Sequence, residues 1–242
     1  MGLIRFPGNA HPSRVKRPSS GPRAPAEPGE QPKASERGKI DNLCSLVCGF
    51  VIKTEAVRKL GVWTVVDEAD RVQWEMLAGE GVGPLRFGMS HDEAAASVAD
   101  VLSPVSTRGG YGSPAASSEF SLVGTSVAPA VTTYYEAGSL ACVAVNALRG
   151  PQVTLDGLRL VGRVPSILED AFTEYTSTNG HDLRYSQHAD PGSETLGVVL
   201  RAQRAGDVVL SRPVLVAPIW AERCCDVTEG CIPTEEWRDR VW

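Results

Sequence analysis

Lysine disappears from this chain after Lys59. All five, Lys16, Lys33, Lys39, Lys53 and Lys59, precede residue 60 of 242, and the remainder relies on arginine. The shift marks a boundary near Gly61. It fits a separately evolving tail or a start codon assigned too far upstream. Arginine over lysine, with abundant Ala, Gly and Val, also fits a GC-rich bacterial source. Long apolar runs are missing too. No stretch approaches the ~18 residues of a membrane-spanning helix, so no membrane span is expected. The longest candidate, residues 43–52, holds two cysteines and lacks a signal-peptide cleavage pattern. No G-x-S-x-G, H-E-x-x-H, Walker or C-x-x-C sequence occurs, which removes the commonest hydrolase, zinc-protease, nucleotide and redox signatures.

Charge is unevenly placed. The whole chain is −5, but residues 1–40 carry eight basic and three acidic side chains, leaving −10 for residues 41–242. An acidic globular part argues against nucleic acid as a partner, because a duplex attracts basic faces. Residues 1–40 also hold seven prolines and five glycines with almost no bulky apolar groups. They cannot bury enough surface to offset ordering entropy, so a disordered basic tail is expected there. Residues 41–61 read as a linker or as part of a misassigned start.

The stretch Gly83-Pro84-Leu85-Arg86-Phe87-Gly88-Met89-Ser90-His91-Asp92-Glu93-Ala94 reads as a short strand, a glycine turn and a helix start. Ser90 and Glu93 have the S-x-x-E spacing of a capping box, and Met89 can staple onto Ala94. Ala94, Val98, Val101 and Leu102 share one helical face, with Pro104 as the expected stop. Gly79-Glu80-Gly81-Val82-Gly83 superficially resembles a dinucleotide fingerprint. It precedes a strand instead of following one, and Pro84 removes an amide that a phosphate would need. A weaker echo, Leu158-Arg159-Leu160-Val161-Gly162, precedes Pro165 and the helical face Leu168, Ala171, Phe172 and Tyr175, which Asn179-Gly180 ends.

Strand composition is expected at 62–66, 120–127, 131–136 and 140–148, with a long loop over 103–118. A hairpin is expected around Asp156-Gly157 and another around 204–206, and residues 214–219 read as a final edge strand flanked by Pro213 and Pro218. Strands grouped after each helix with short links give an α+β class with antiparallel pairing: two tandem helix-plus-antiparallel-sheet repeats over 62–155 and 156–242. Leu85 to Ser90, followed by a capped helix and a meander, resembles the F-G-M-T/S helix start of the β-lactamase-inhibitor-protein-like family and of related small outer-membrane assembly lipoproteins. The resemblance implies tandem repeats and binding without catalysis, with a concave sheet or its loops gripping another protein.

Chemistry-bearing residues are few. His181 and His188 share a polar loop with Asp182 and Asp190, but their spacing matches no established zinc pattern. Cys224, Cys225 and Cys231 form the one cysteine cluster that invites a metal or disulfide reading. Adjacent cysteines seldom both point inward, so reduced thiols in a cytoplasmic protein are expected, with Cys225–Cys231 pairing as the alternative for an exported one. No catalytic residue and no cofactor can be chosen. The leading expectation is a non-catalytic protein-binding module of the immunity or inhibitor kind. The alternatives are a small metal-dependent enzyme using the His181–Asp190 loop and an envelope-associated protein with a misread start.

Overall fold

A computed structural model of the chain describes residues 61–109, 116–125, 128–228 and 230–239. The tail over 1–40, the segment 41–60 with Cys44 and Cys48, and Trp242 lie outside the described residues. A 3₁₀ turn, Glu68–Asp70, leads into β1 (Gln73–Leu77), β2 (Gly81–Val82) and β3 (Leu85–Arg86). Helix α1 (His91–Val98) precedes a meander of β4 (Leu102–Arg108), β5 (Ala116–Leu122), β6 (Val131–Glu136) and β7 (Ser139–Val145). The hairpin β8 (Gln152–Leu155) and β9 (Leu158–Arg159) then leads to α2 (Pro165–Asn179). A second meander follows: β10 (Arg184–Tyr185), β11 (Pro191–Ser193), β12 (Val198–Ala205) and β13 (Val208–Val216). Two single-turn helices, α3 (Pro218–Ala221) and α4 (Thr234–Trp237), complete the described chain.

The class is α+β. Both meanders join in one eight-stranded sheet of order β10-β11-β12-β13-β7-β6-β5-β4, and the short strands form a second sheet of order β3-β2-β1-β8-β9. Pairing is antiparallel except that β1 runs parallel to β8, a contact that sequence patterning does not announce. The Asp156-Gly157 turn joins β8 to β9 with both residues at positive φ, 46° and 87°, as a type I′ hairpin requires. The expected border at 155/156 falls at the tip of this hairpin.

Helix α1 begins as its sequence dictates. The Ser90 side chain accepts from the Glu93 amide, and Glu93 Oε2 accepts from the Ser90 amide at 2.8 Å. The helix is shorter than its apolar periodicity implies. Pro104 confines Ser103 to extended backbone, and Leu102 buries its side chain from the start of β4 instead of from a third helical turn. Pro104 therefore sits inside a strand, which is tolerated because β4 is an edge with a bulge between Pro104 and Ser106. The loop expected over 103–118 is replaced at its described ends by β4 and β5. Residues 62–66 form no strand.

Residues 208–210 and 214–216 belong to one continuous strand, β13, which lies between β12 and β7 and is not an edge, and Pro218 opens α3 instead of closing a strand. Pro213 fits there for a geometric reason. Ser211 exchanges backbone hydrogen bonds with the Gly162–Arg163 segment, and β7 pairing starts only at Val214. Alternation turns the missing Pro213 amide toward the gap between those two partners, where no ladder bond is lost.

The sheet is apolar on both faces. Paired Val198 and Leu215 join Phe120, Val131, Val143 and Leu200 against Ala94, Val98, Leu168 and Phe172 of the helices. The next pair, Val199 and Val214, faces the opposite way with Tyr134, Cys142, Ala144 and Val216. Cys224, Cys225, Ile232 and Trp237 of the C-terminal segment cover this second face. The loop from Asn146 to Pro151, between β7 and β8, is held in place from just ahead of β1. Buried Arg71 donates to the carbonyls of Gly150 (2.5 Å), Ala147 (2.7 Å) and Leu148 (3.2 Å) there.

Candidate functional site

The outer face of the sheet is built around two arginines. Arg201 and Arg212 stand directly opposite each other on β12 and β13, both almost wholly buried. Like charges in such a pair repel unless anions are supplied. Asp190 supplies one to Arg201, and Glu236 supplies the other to Arg212 at 2.5 Å. Arg212 Nη2 and Arg201 Nε also donate to the Glu236 carbonyl, at 2.9 and 3.1 Å, and Arg201 Nη2 donates to the Trp237 carbonyl at 2.8 Å. The Tyr134 hydroxyl donates to Glu236, and the Arg201 guanidinium lies 5.1 Å from the Trp237 ring centre. The middle of this face is therefore filled by the chain's own segment 218–239 and is closed to any partner that would lie flat on it.

The sequence candidates separate into different surroundings. His181 stacks on Tyr175 at 5.9 Å, with Nδ1 3.3 Å from Thr195 Oγ1. His188 is exposed at the other end of its loop and stacks on Trp237 at 6.2 Å. Cys224 and Cys225 both point inward, with Sγ atoms 3.9 Å apart, because Cys225 packs on Gly192, where a side chain would not fit. Cys231 is half-buried, and Cys142, Cys224, Cys225 and Cys231 are all free thiols. Burial pushes the Cys142 thiol well up. The neighbouring Cys225 thiol, together with burial, does the same for Cys224. Burial and then Glu136 raise Cys231. A thiol held protonated is a poor nucleophile. Among the described residues no three His, Cys, Asp or Glu side chains gather as a metal's ligands.

One part of the His181–Asp190 loop does border an open site. The turn Ser186–Asp190 is closed by the Ser186 hydroxyl, which accepts from the amides of His188 and Asp190 at 3.1 Å and donates to Asp190 Oδ2 at 2.8 Å. Ala189 takes φ 62° within it, a conformation that an L residue adopts at a cost. Between this turn, the first turns of α2 and the strands β12 and β13 lies a hollow of ≈ 170 Å³. Leu168, Pro191, Leu200 and Ala202 give it an apolar lining, and Glu169, His188, Asp190 and Ser211 are the polar groups at its wall.

Ser211 Oγ is committed, donating to the Leu160 carbonyl at 2.8 Å and accepting from the Arg163 amide at 3.0 Å. No hydrogen bond reaches the His188 ring among the described residues. Glu169 Oε1 accepts from the Tyr185 hydroxyl at 3.0 Å, and that bond, with burial second, raises the Tyr185 pKa. Val164 and Ile167, the chain neighbours of the lining residues Pro165 and Leu168, are 51% and 63% exposed, and Tyr185, bonded to the lining Glu169, is 50% exposed. The arrangement can receive an apolar group bearing a polar end. It contains no hydrogen-bonded nucleophile and base among the described residues.

The chain matches no protein-family model, no curated protein and no solved structure. Its reading therefore stands on its own geometry. Sequence patterning found His188 and Asp190 but missed Glu169, Ser211, Arg201 and Arg212. Helical spacing placed Glu169 beside Leu168, which was a usable signal. The arginines gave none, since a charged residue in a strand is ordinarily read as facing water.

Proposed function

We propose that this chain is a non-catalytic protein-binding module, of the immunity or inhibitor kind, that holds another protein at the rim of the α2 hollow. The observation that carries this reading is that three large apolar side chains stand in water next to residues lining a partly open apolar depression: Val164 precedes Pro165, Ile167 precedes Leu168, and Tyr185 is bonded to Glu169. Scattered single apolar residues are ordinary on a surface. Several flanking one concavity are the usual anatomy of a recognition site. The rim takes the place of the sheet face, whose centre the C-terminal segment fills.

Two further features support the reading. A helix followed by four antiparallel strands occurs twice, and the two meanders meet at β7 and β13. We read these as two copies of one unit, in keeping with the likeness to the β-lactamase-inhibitor-like family. The free thiols fit a reducing cytoplasm. Affinity capture from the native host tests the function. The unaltered chain recovers a stoichiometric protein, and Ile167→Asp loses it while melting at an unchanged temperature. Recovery of the same protein by both chains, or of none by either, overturns the reading.

A further inference from the structure

Resting on the protein-binding reading, we propose that the α2 hollow receives a cationic side chain of the partner, an arginine first of all. The volume is suitable. A dry cavity of about 150 Å³ admits a benzene molecule, and this hollow measures ≈ 170 Å³. It therefore takes a flat group of similar size on a short apolar stem. Leu168, Pro191, Leu200 and Ala202 suit the stem.

The charge at the mouth is negative. Asp190 is neutralised from behind by Arg201, so Glu169 is the carboxylate that a guest meets. Its Oε1 is held by Tyr185, which fixes the carboxylate and leaves Oε2 to accept from a guest. The positive end of the α2 dipole lies at the same mouth and favours an anion, but about half a charge there is outweighed by a full carboxylate. Tyr185, half-exposed beside Glu169, offers a ring face on which a guanidinium can stack. Residues 41–242 carry −10, which favours basic over acidic partners at long range.

Benzamidine is a suitable probe, because it joins a flat apolar ring to an amidinium. Titrated into the full chain and followed calorimetrically, it is expected to bind saturably, whereas benzoate and benzyl alcohol bind at least about tenfold more weakly for want of the charged hydrogen bond. Glu169→Gln is expected to weaken benzamidine about tenfold or more. Ala202→Leu, which fills the hollow, is expected to abolish binding, and the melting temperature of each variant checks that it is folded. Should Ala202→Leu not fold, Glu169→Gln alone decides. Equal binding of benzamidine and benzoate, or undiminished binding by Glu169→Gln, overturns the cationic site. Capture of a partner that Ile167→Asp loses, with no uptake of benzamidine, overturns the arginine site and leaves the protein-binding reading standing. Uptake of benzamidine with no partner captured overturns the protein-binding reading, and with it a protein as the source of the cation.

Discussion

Glu236 has no exposure to solvent, and its carboxylate is tolerated there because Arg212 and Tyr134 both bind it. Glu236→Ala leaves Arg212 buried without that anion. The expected loss is about 3–5 kcal/mol in denaturant unfolding. Replacing both members by apolar residues of similar size, Arg212→Met with Glu236→Leu, recovers most of that loss, since the pair's own attraction mainly offsets its desolvation. Asp182 makes a pH prediction. Burial alone raises a carboxyl pKa, but the Thr195 amide (2.9 Å) and hydroxyl (2.7 Å), the Glu194 amide (3.1 Å) and the Ser193 hydroxyl (2.9 Å) together hold it well below the usual range. A carboxylate depressed in the folded state contributes stability above its unfolded pKa, and that contribution fades as pH falls below about 4. Asp182→Asn therefore flattens the acid limb of a stability-against-pH curve, and an unchanged limb would contradict the assignment.

At the scale of elements, α2 is stapled to the β8–β9 hairpin by Tyr175, whose hydroxyl donates to Asp156 Oδ2 at 2.6 Å. Burial and then Asp156 push the Tyr175 phenol up to about 12. The protonated form is the one favoured by folding, so the staple is fully present below the ordinary tyrosine range, about 10, and is lost as pH rises toward the folded value. Ultraviolet titration of Tyr175→Phe should lack one of the late phenols that the unaltered chain shows. Helix α1 is held differently. Ser90→Ala removes its capping box at a cost of about 1 kcal/mol, measurable by thermal unfolding. Both helix starts were legible from sequence, because a capping box and an N1 proline are local devices. So was the Asp156-Gly157 turn, whose positive φ angles suit that dipeptide. The end of α1 was not legible. Val101 and Leu102 continue a helical period, and only the tertiary offer of an edge strand decides that Leu102 is extended. The strand order of β13 was hidden by its prolines, which read as edge markers until the gap facing Pro213 is seen.

The described residues all fall within one compact unit, and the eight-stranded sheet runs unbroken through β13 and β7. The two meanders should therefore melt in one transition, with calorimetric and van't Hoff enthalpies in agreement. Arg71→Ala, which strips donors from carbonyls at Ala147, Leu148 and Gly150, is expected to lower that transition without splitting it. A second transition would show that the two meanders fold independently. The candidate hollow could not be read from sequence because its walls come from α2, from the turn before β11 and from two strands further on. Sequence proximity had grouped His188 with His181, which lies in a different setting. The facing arginines of β12 and β13 carry one more consequence, for how the protein is made. Every strand of the eight-stranded sheet leaves the ribosome before residues 218–239 do. Until those residues emerge, Arg212 has no Glu236, and the valines around it have no cover. A nascent chain thus remains sticky and incomplete in its middle, and a product cut short before Glu236 would be a natural target for chaperones and proteases.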